Sequence, residues 1–287
     1  LEAPGRDVEV SELRERDRID RAELLVVVLD AYDFNQPFEA PEEGRPLRPK
    51  VEQHLVAQRL VSAVIDDDRR HTRERIAGGT PHRPGHDYLG ASGLLDDLLL
   101  MGALEDKVVI GSMNRGGLQG AAFELDDRFT GYSAAEIARC GIDGGKMLTR
   151  IALDDPGSVA TLEASGHAVS ELADQGIMAM VEPFWSQRRD GKVVNLLDPE
   201  STIKSIGVAS ALGTSSAHTW LKLPVVADLE RVMDATTLPT LLLGGDPKGD
   251  PRDTYAAWRG SLTIPQVRGL VVGRALLYPP DGDVAAA

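Results

Sequence analysis

"HTWLKLPVV", residues 218–226, is an apolar run that ends on two valines behind a proline, the composition of a buried strand. Lys222 stands in its middle. Side chains alternate between the two faces of a strand, so Leu221, Leu223 and Val225 share one face and Trp220 and Lys222 the other. A leucine face suits a layer of helices, which turns the lysine toward the opposite side, into an interior. Burying an ammonium costs hydration and rotamer freedom, so a lysine there needs a partner or a task.

Seven more runs resemble it: "ELLVVVLD" (23–30), "HDYLGAS" (86–92), "KVVIGSM" (107–113), "GGKMLTRI" (144–151), "GIMAMVEPF" (176–184), "LPTLLLGGD" (238–246) and "VRGLVVGRALL" (267–277). Most are continuously apolar, as parallel strands covered on both faces are. Helix-like segments separate them. "SGLLDDLLLMGALE" has Ser92 placed to cap its start. "DPGSVATLEASGHAVSELADQG" carries Pro156 near its beginning and Gly176 past its end. "DPESTIKSIGVASALG" opens on Asp198-Pro199 and closes at Gly213, and "DLERVMDAT" and "DPRDTYAAWRGSL" follow the same grammar. Eight βα units in a chain of 287 residues predict a (β/α)8 barrel. A doubly wound sheet would carry a glycine-rich turn after its first strand, and "LDAYDFNQP" is no such turn. The expected organisation is an amino-terminal extension at 1–22 and a single barrel domain at 23–287, with a long solvated insertion at 34–85. "PPDGDVAAA" reads as the opening of an eighth helix that is cut short.

The formal net charge of −14 argues against a nucleic-acid binder or a protein held on anionic membranes, but leaves room for a small anionic substrate at a local cluster of cations. No apolar run approaches the ~20 residues of a membrane span. Cys140 is the single cysteine, so no internal disulfide forms, which suits a reducing cytoplasm. The start is charged, without an apolar signal core or an initiator Met, as in a fragment or a processed chain.

The alternation argument extends to two neighbouring strands. On "GGKMLTRI", Met147, Thr149 and Ile151 share one phase, which sends Lys146 inward. On "GIMAMVEP", Ala179, Val181 and Pro183 face out and Met178, Met180 and Glu182 face in. Strands four, five and six thus each send one ionisable group inward: Lys146, Glu182 and Lys222. Adjacent strands lie about 4.8 Å apart, so the three can converge. A satisfied Lys–Glu–Lys network is one reading, although buried ion networks are weak sources of stability. The chemical reading is stronger. A lysine near another cation in a desolvated site gives up its proton more readily and attacks a carbonyl as the free amine, and a carboxylate beside it shuttles protons. That is the apparatus of a class I aldolase.

"LLLGGDP" puts Gly244 and Gly245 at the end of strand seven, and "VVGRALL" puts Gly273 and Arg274 at the end of strand eight. Loops after these strands commonly hold phosphate through backbone N–H groups, and an arginine adds a charge-assisted contact. In "SMNRGG", at the end of strand three, Asn114 and Arg115 are candidates for a substrate hydroxyl or carboxylate, with loop structuring an equal alternative. Asp126 and Asp127 in "FELDDRFTGY" are adjacent and have no histidine beside them, so they read as loop or salt-bridge residues rather than a metal site.

The motifs "GSMNRGG", "FELDDRFTGY", "DGGKMLTRI", "MVEPF", "TWLKLPV", "TLLLGGD" and "GLVVGRALLYPPDGDV" span about two-thirds of the chain. Over that span it resembles the actinobacterial aldolase-like proteins often labelled deoxyribose-phosphate aldolase, some found with inositol-catabolism genes. It is more distantly similar to the tagatose-bisphosphate and sulfofructose-phosphate class I aldolases. The resemblance implies a (β/α)8 enzyme in which Lys222 is the Schiff-base lysine, Lys146 and Glu182 are its partners and Arg274 is a phosphate ligand. It also implies an acid at the end of strand one. Asp30 is the best positional match and Asp33 the alternative, though "LDAYDFNQP" departs from the family's Asp-His-Pro or Asp-Gln-Arg context. The function expected is cleavage or formation of a C–C bond in a phosphorylated sugar or keto-sugar acid, with no metal or organic cofactor. A Schiff-base acyl transferase and a non-catalytic sugar-phosphate binding protein are the rivals. A shortened last helix would leave apolar surface that homo-oligomer contacts could cover.

Overall fold

A computed structural model describes residues 24–29, 87–90, 95, 108–114, 121–244 and 251–273. The expected extension at 1–22, the insertion at 34–85 and the shortened last helix lie outside the described residues. The strands are β1 (Leu24–Leu29), β2 (Asp87–Gly90), β3 (Val109–Ser112), β4 (Gly144–Ile151), β5 (Met178–Arg189), β6 (Lys192–Asn195), β7 (Thr219–Leu223), β8 (Thr240–Leu243) and β9 (Val267–Val272). The helices are α1 (Ala134–Cys140), α2 (Gly157–Asp174), α3 (Pro199–Ala209), α4 (Leu229–Met233) and α5 (Pro251–Ser261).

Parallel pairing runs from β1 through β2, β3, β4, β5, β7 and β8 to β9, and β9 pairs back onto β1. Continuously apolar strands require cover on both sides, and two separate cores provide it. Val108, Ile110, Met178, Met180, Leu241 and Val271, with Trp220 against them, form a cluster built from the strands and the residue leading into β3. It contains no helix residue, as expected of the inside of the ring. The larger cluster joins Met147, Ala179, Val181, Leu221 and Leu223 to Ile137, Leu172, Ile206, Val232 and Trp258 of the helices. The expected alternation on the three strands therefore matches their division between the two cores.

Capping chemistry sets the helices. The Asp198 side chain accepts from Ser201 N at 2.9 Å, with Pro199 at the first helical position, and starts α3. α2 begins after Pro156, and Gly176 beyond its end is left-handed at φ 67°. Among the described residues no helix is long and apolar enough to cross a membrane.

Two elements escape the periodicity reading. α1 buries only Ala134 and Ile137, so its apolar stripe is too short to register. Its signals are instead Ser133, which accepts from Glu136 N at 3.1 Å, and Gly141, left-handed at φ 67°. β5 runs past the expected end at Phe184 to Arg189 and turns back as β6. Asp190 and Gly191 both have positive φ, 49° and 74°, the conformation that Asp-Gly favours between antiparallel strands. In the other direction, β7 stops at Leu223, because Pro224 has no N–H to continue the ladder.

The chain after β3 returns along it: Gly131 N–H donates to Met113 O at 2.9 Å and Tyr132 N–H to Ser112 O at 3.1 Å. A Cβ on Gly131 would lie 2.2 Å from Ser112 O, a backbone atom that cannot swing aside. Gly131→Ala is expected to destabilise the protein by about 1–3 kcal/mol, read as a lower midpoint in urea with an unchanged slope.

Candidate active site

Each charged residue of the site owes its place to strand register. Lys146 pairs with Met180 and Leu148 with Glu182 across β4 and β5, while Met180 pairs with Trp220 across β5 and β7. Glu182 and Lys222 each lie two residues beyond the Met180–Trp220 pair, so they stand at one level. Lys146 stands one level lower and reaches up with its longer side chain. The Lys146 Nζ lies 2.5 Å from Glu182 Oε2, and the Lys222 Nζ lies 3.2 Å from Glu182 Oε1. The three side chains are only 12%, 9% and 11% exposed for Lys146, Lys222 and Glu182. Met178, Met180 and Trp220 make an apolar floor beneath them.

Burial by itself would push the Glu182 carboxyl up; the charges of Lys146 and Lys222, with their hydrogen bonds, outweigh it and hold the group down at about 2. Glu182 is thus a carboxylate that receives one ammonium-type donor on each oxygen.

A second ionic group stands on the same face of β4. Arg150 Nη2 lies 2.6 Å from Asp127 Oδ1, and Arg150 Nε donates to the two carboxylate oxygens at 3.0 and 3.1 Å. The Arg150 guanidinium also donates to the Glu124 carbonyl. Asp127 is fully buried, and burial pushes its carboxyl up despite Arg150. Of the two acidic neighbours, Asp127 is thus a salt-bridge partner, and Asp126 pairs with Arg128 at 2.6 Å.

The other expected residues divide. Asn114 is 2% exposed, and its amide is taken up by backbone: Oδ1 accepts from Leu148 N at 2.6 Å, and Nδ2 donates to Leu148 O at 2.7 Å and Asp127 O at 2.9 Å. These are loop-structuring bonds. Gly244 does not present a free N–H to a phosphate; it donates to Val271 O at 2.8 Å. Its missing Cβ instead lets Trp258 and Val272 approach, since a Cβ would lie 3.3 and 3.2 Å from their side chains. Gly273 follows directly on β9. Asp30, Asp33, Arg115, Gly245 and Arg274 lie outside the described residues. Sequence reasoning missed Arg150, whose signal was its place on the Lys146 phase of β4. A cavity of about 440 Å³ lies elsewhere, lined by Met113 and Tyr132 on one side and Ala164 and His167 of α2 on the other; none of the three site residues lines it.

The parallel α/β architecture is that of aldolase barrels. A Schiff-base-forming fructose-1,6-bisphosphate aldolase superposes with a TM-score of 0.57 at 15% identity, over 93% of each chain. An archaeal fructose-1,6-bisphosphate aldolase, whose catalytic Lys is covalently bound to the carbinolamine intermediate, superposes with a TM-score of 0.57 at 15% identity, over 93% of this chain and 92% of that one. At such identity the likeness is one of fold. Residues 56–287 match the Cgl0159-like family, and the chain belongs to it. The crystal structure of Cgl0159 from Corynebacterium glutamicum (Brevibacterium flavum) is 42% identical, with a TM-score of 0.73 over 97% of this chain and 90% of that one.

Glu182→Gln leaves two buried lysines without their carboxylate and is expected to cost about 3–5 kcal/mol near neutral pH by urea unfolding. A carboxyl depressed by folding stabilises above its unfolded value and loses that contribution as the pH falls through its folded value. The gap between wild type and Glu182→Gln should therefore be full above 4.5 and close as the pH falls toward about 2.

Proposed function

We propose that the chain is a class I aldolase acting on a phosphorylated sugar or keto-sugar acid, with Lys222 as its Schiff-base lysine. The observation that carries this reading is one buried carboxylate shared by two lysines from neighbouring strands, Lys146 at 2.5 Å and Lys222 at 3.2 Å. Lys146 keeps the shorter contact with the carboxylate. The family resemblance assigns the attack to Lys222, which gives up a proton to act as the free amine.

The amine of Lys222 adds to the substrate carbonyl carbon to give a carbinolamine. Glu182, which takes up the proton that Lys222 gives up, passes it to the departing hydroxyl; water leaves, an iminium forms and the carboxylate is restored. Removal of a proton from the hydroxyl beyond the scissile bond then breaks that C–C bond. An aldehyde departs, and the electron pair of the broken C–C bond is stored as an enamine on Lys222. Protonation of the enamine carbon and hydrolysis of the iminium release the second product and restore the amine. The Lys146 ammonium, held by Glu182, stabilises the oxygen that develops charge.

The first-strand acid, Asp30 with Asp33 as its alternative, is proposed for the hydroxyl proton. Gly245, Gly273 and Arg274 are proposed for the phosphate and Arg115 for a substrate hydroxyl or carboxylate, Gly244 serving the ladder instead. The chain is proposed as a (β/α)8 barrel acting in the cytoplasm without metal or organic cofactor and associating as a homo-oligomer. Family resemblance suggests deoxyribose 5-phosphate and 2-deoxy-5-keto-gluconate 6-phosphate as substrates, and the named activity of the fold relatives adds fructose 1,6-bisphosphate.

Borohydride reduction in the presence of each of these sugars, followed by digestion and mass spectrometry, tests the reading. An adduct on Lys222 that Lys222→Ala abolishes is the expected result, with Lys146→Ala lowering the cleavage rate by about a hundredfold or more. An adduct on Lys146 would reverse the two roles. No adduct from folded protein would leave a structural ion network or a binding protein.

A further inference from the structure

β3 ends at Ser112, whereas β4 continues to Ile151. The last paired residues are Ser112 and Lys146. In a parallel ladder the N–H and C=O of one residue point to the same neighbour, so Lys146, Leu148 and Arg150 all turn their peptide groups toward β3. The chain bonds them one after another. Met113 N–H donates to Lys146 O at 2.8 Å. Beyond it the partners are side chains. The Asn114 amide accepts from Leu148 N at 2.6 Å and donates to Leu148 O at 2.7 Å. The Asp127 carboxylate accepts from Arg150 N at 3.1 Å. A primary amide carries the same donor and acceptor as a peptide, so Asn114 supplies the rung that β3 no longer provides.

We infer that Asn114 and Asp127 are positioning residues that prolong the edge of β3 along β4 and thereby fix Lys146 against Glu182. Leu148 is the register partner of Glu182 and lies two residues from Lys146, so the residue clamped by Asn114 ties the carboxylate's level to the lysine's. Asn114 also donates to Asp127 O at 2.9 Å, which makes the two substitute rungs one unit. Asp127 has a second effect. Arg150 shares the inward phase with Lys146, and its bidentate hold on Asp127 keeps that permanent cation from competing for Glu182. The consequence for catalysis rests on the imine reading above; the consequence for the backbone does not.

Two measurements separate these. Hydrogen exchange of the Leu148 and Arg150 amides should be slow in the wild type and markedly faster in Asn114→Ala. Imine formation is followed with pyridoxal 5′-phosphate, a phosphorylated aldehyde, as probe, with borohydride mapping to Lys222. Asn114→Ala should lower the saturating rate of imine formation about tenfold or more, with the half-saturating probe concentration within about twofold, because small misplacements cost rate more than binding. Thr149→Val is the control. It removes the Thr149–Ser165 hydroxyl bond at 3.0 Å on the outer face of the same strand, and should lower stability while leaving the imine rate unchanged. If Asn114→Ala fails to fold, Asn114→Ser, which keeps one of the bonds at most, is read the same way. Unchanged exchange at Leu148, or a wild-type imine rate in a folded Asn114 variant, overturns the inference. Absence of any Lys222 imine in the wild type overturns the aldolase reading instead, and the exchange arm alone then decides whether Asn114 holds the strand.

Discussion

Glu182 sits between two lysines in a space from which water is largely excluded, and the rest of the site follows from that arrangement. Its two oxygens receive Lys146 and Lys222 from opposite neighbouring strands, so one carboxylate faces two cations. A carboxylate alone at this depth would take up a proton; two cations keep it ionised. On the aldolase reading proposed above, the same arrangement serves proton transfer. The carboxylate lies within hydrogen-bond reach of both nitrogens. Strand alternation and register bring the three together, which ties the chemistry to the pairing of β4, β5 and β7.

The two ionic groups on the inward face of β4 show how residue type separates chemistry from architecture. Asp127 and Arg150 form the better-shaped pair, bidentate and buried, yet burial outweighs the arginine and pushes the Asp127 carboxyl up. The pair therefore adds little net stability, as is general for buried ion pairs, and serves to fix geometry. Arginine keeps its proton under all ordinary conditions, so Arg150 cannot become a nucleophile. Lysine can, and both partners of Glu182 are lysines.

What could be read from the chain was whatever strand periodicity expresses. The inward set of Met178, Met180 and Glu182, and the outward set of Ala179 and Val181, follow from a period of two in strands buried on both faces. What could not be read were contacts made across the sequence. Asn114 finds Leu148 34 positions away, and Arg150 finds Asp127 23 positions away; neither pairing leaves a periodic trace. The same holds for Gly244, whose N–H reaches Val271 on the next strand. "GG" at a strand end signals an available N–H only if the ladder has stopped, and here it runs one residue further. The β5–β6 hairpin and α1 were legible by other signals, Asp190-Gly191 for the turn and Ser133 with Glu136 for the cap, which apolar periodicity does not weigh.

The short β3 and the long β4 are therefore parts of one solution. A barrel strand that carries a catalytic group must end near the mouth, where its neighbours diverge to form loops. There the ladder loses partners just as the position of a lysine matters most. Extending β3 would restore the bonds but, on the aldolase reading, would run a continuous strand past the residues proposed to face a substrate. Side-chain amide and carboxylate groups supply the same hydrogen bonds from a chain that has already turned away. β4 continues as a strand past Arg150 while β3 ends at Ser112, with Asn114 and Asp127 bonding the edge that β3 leaves.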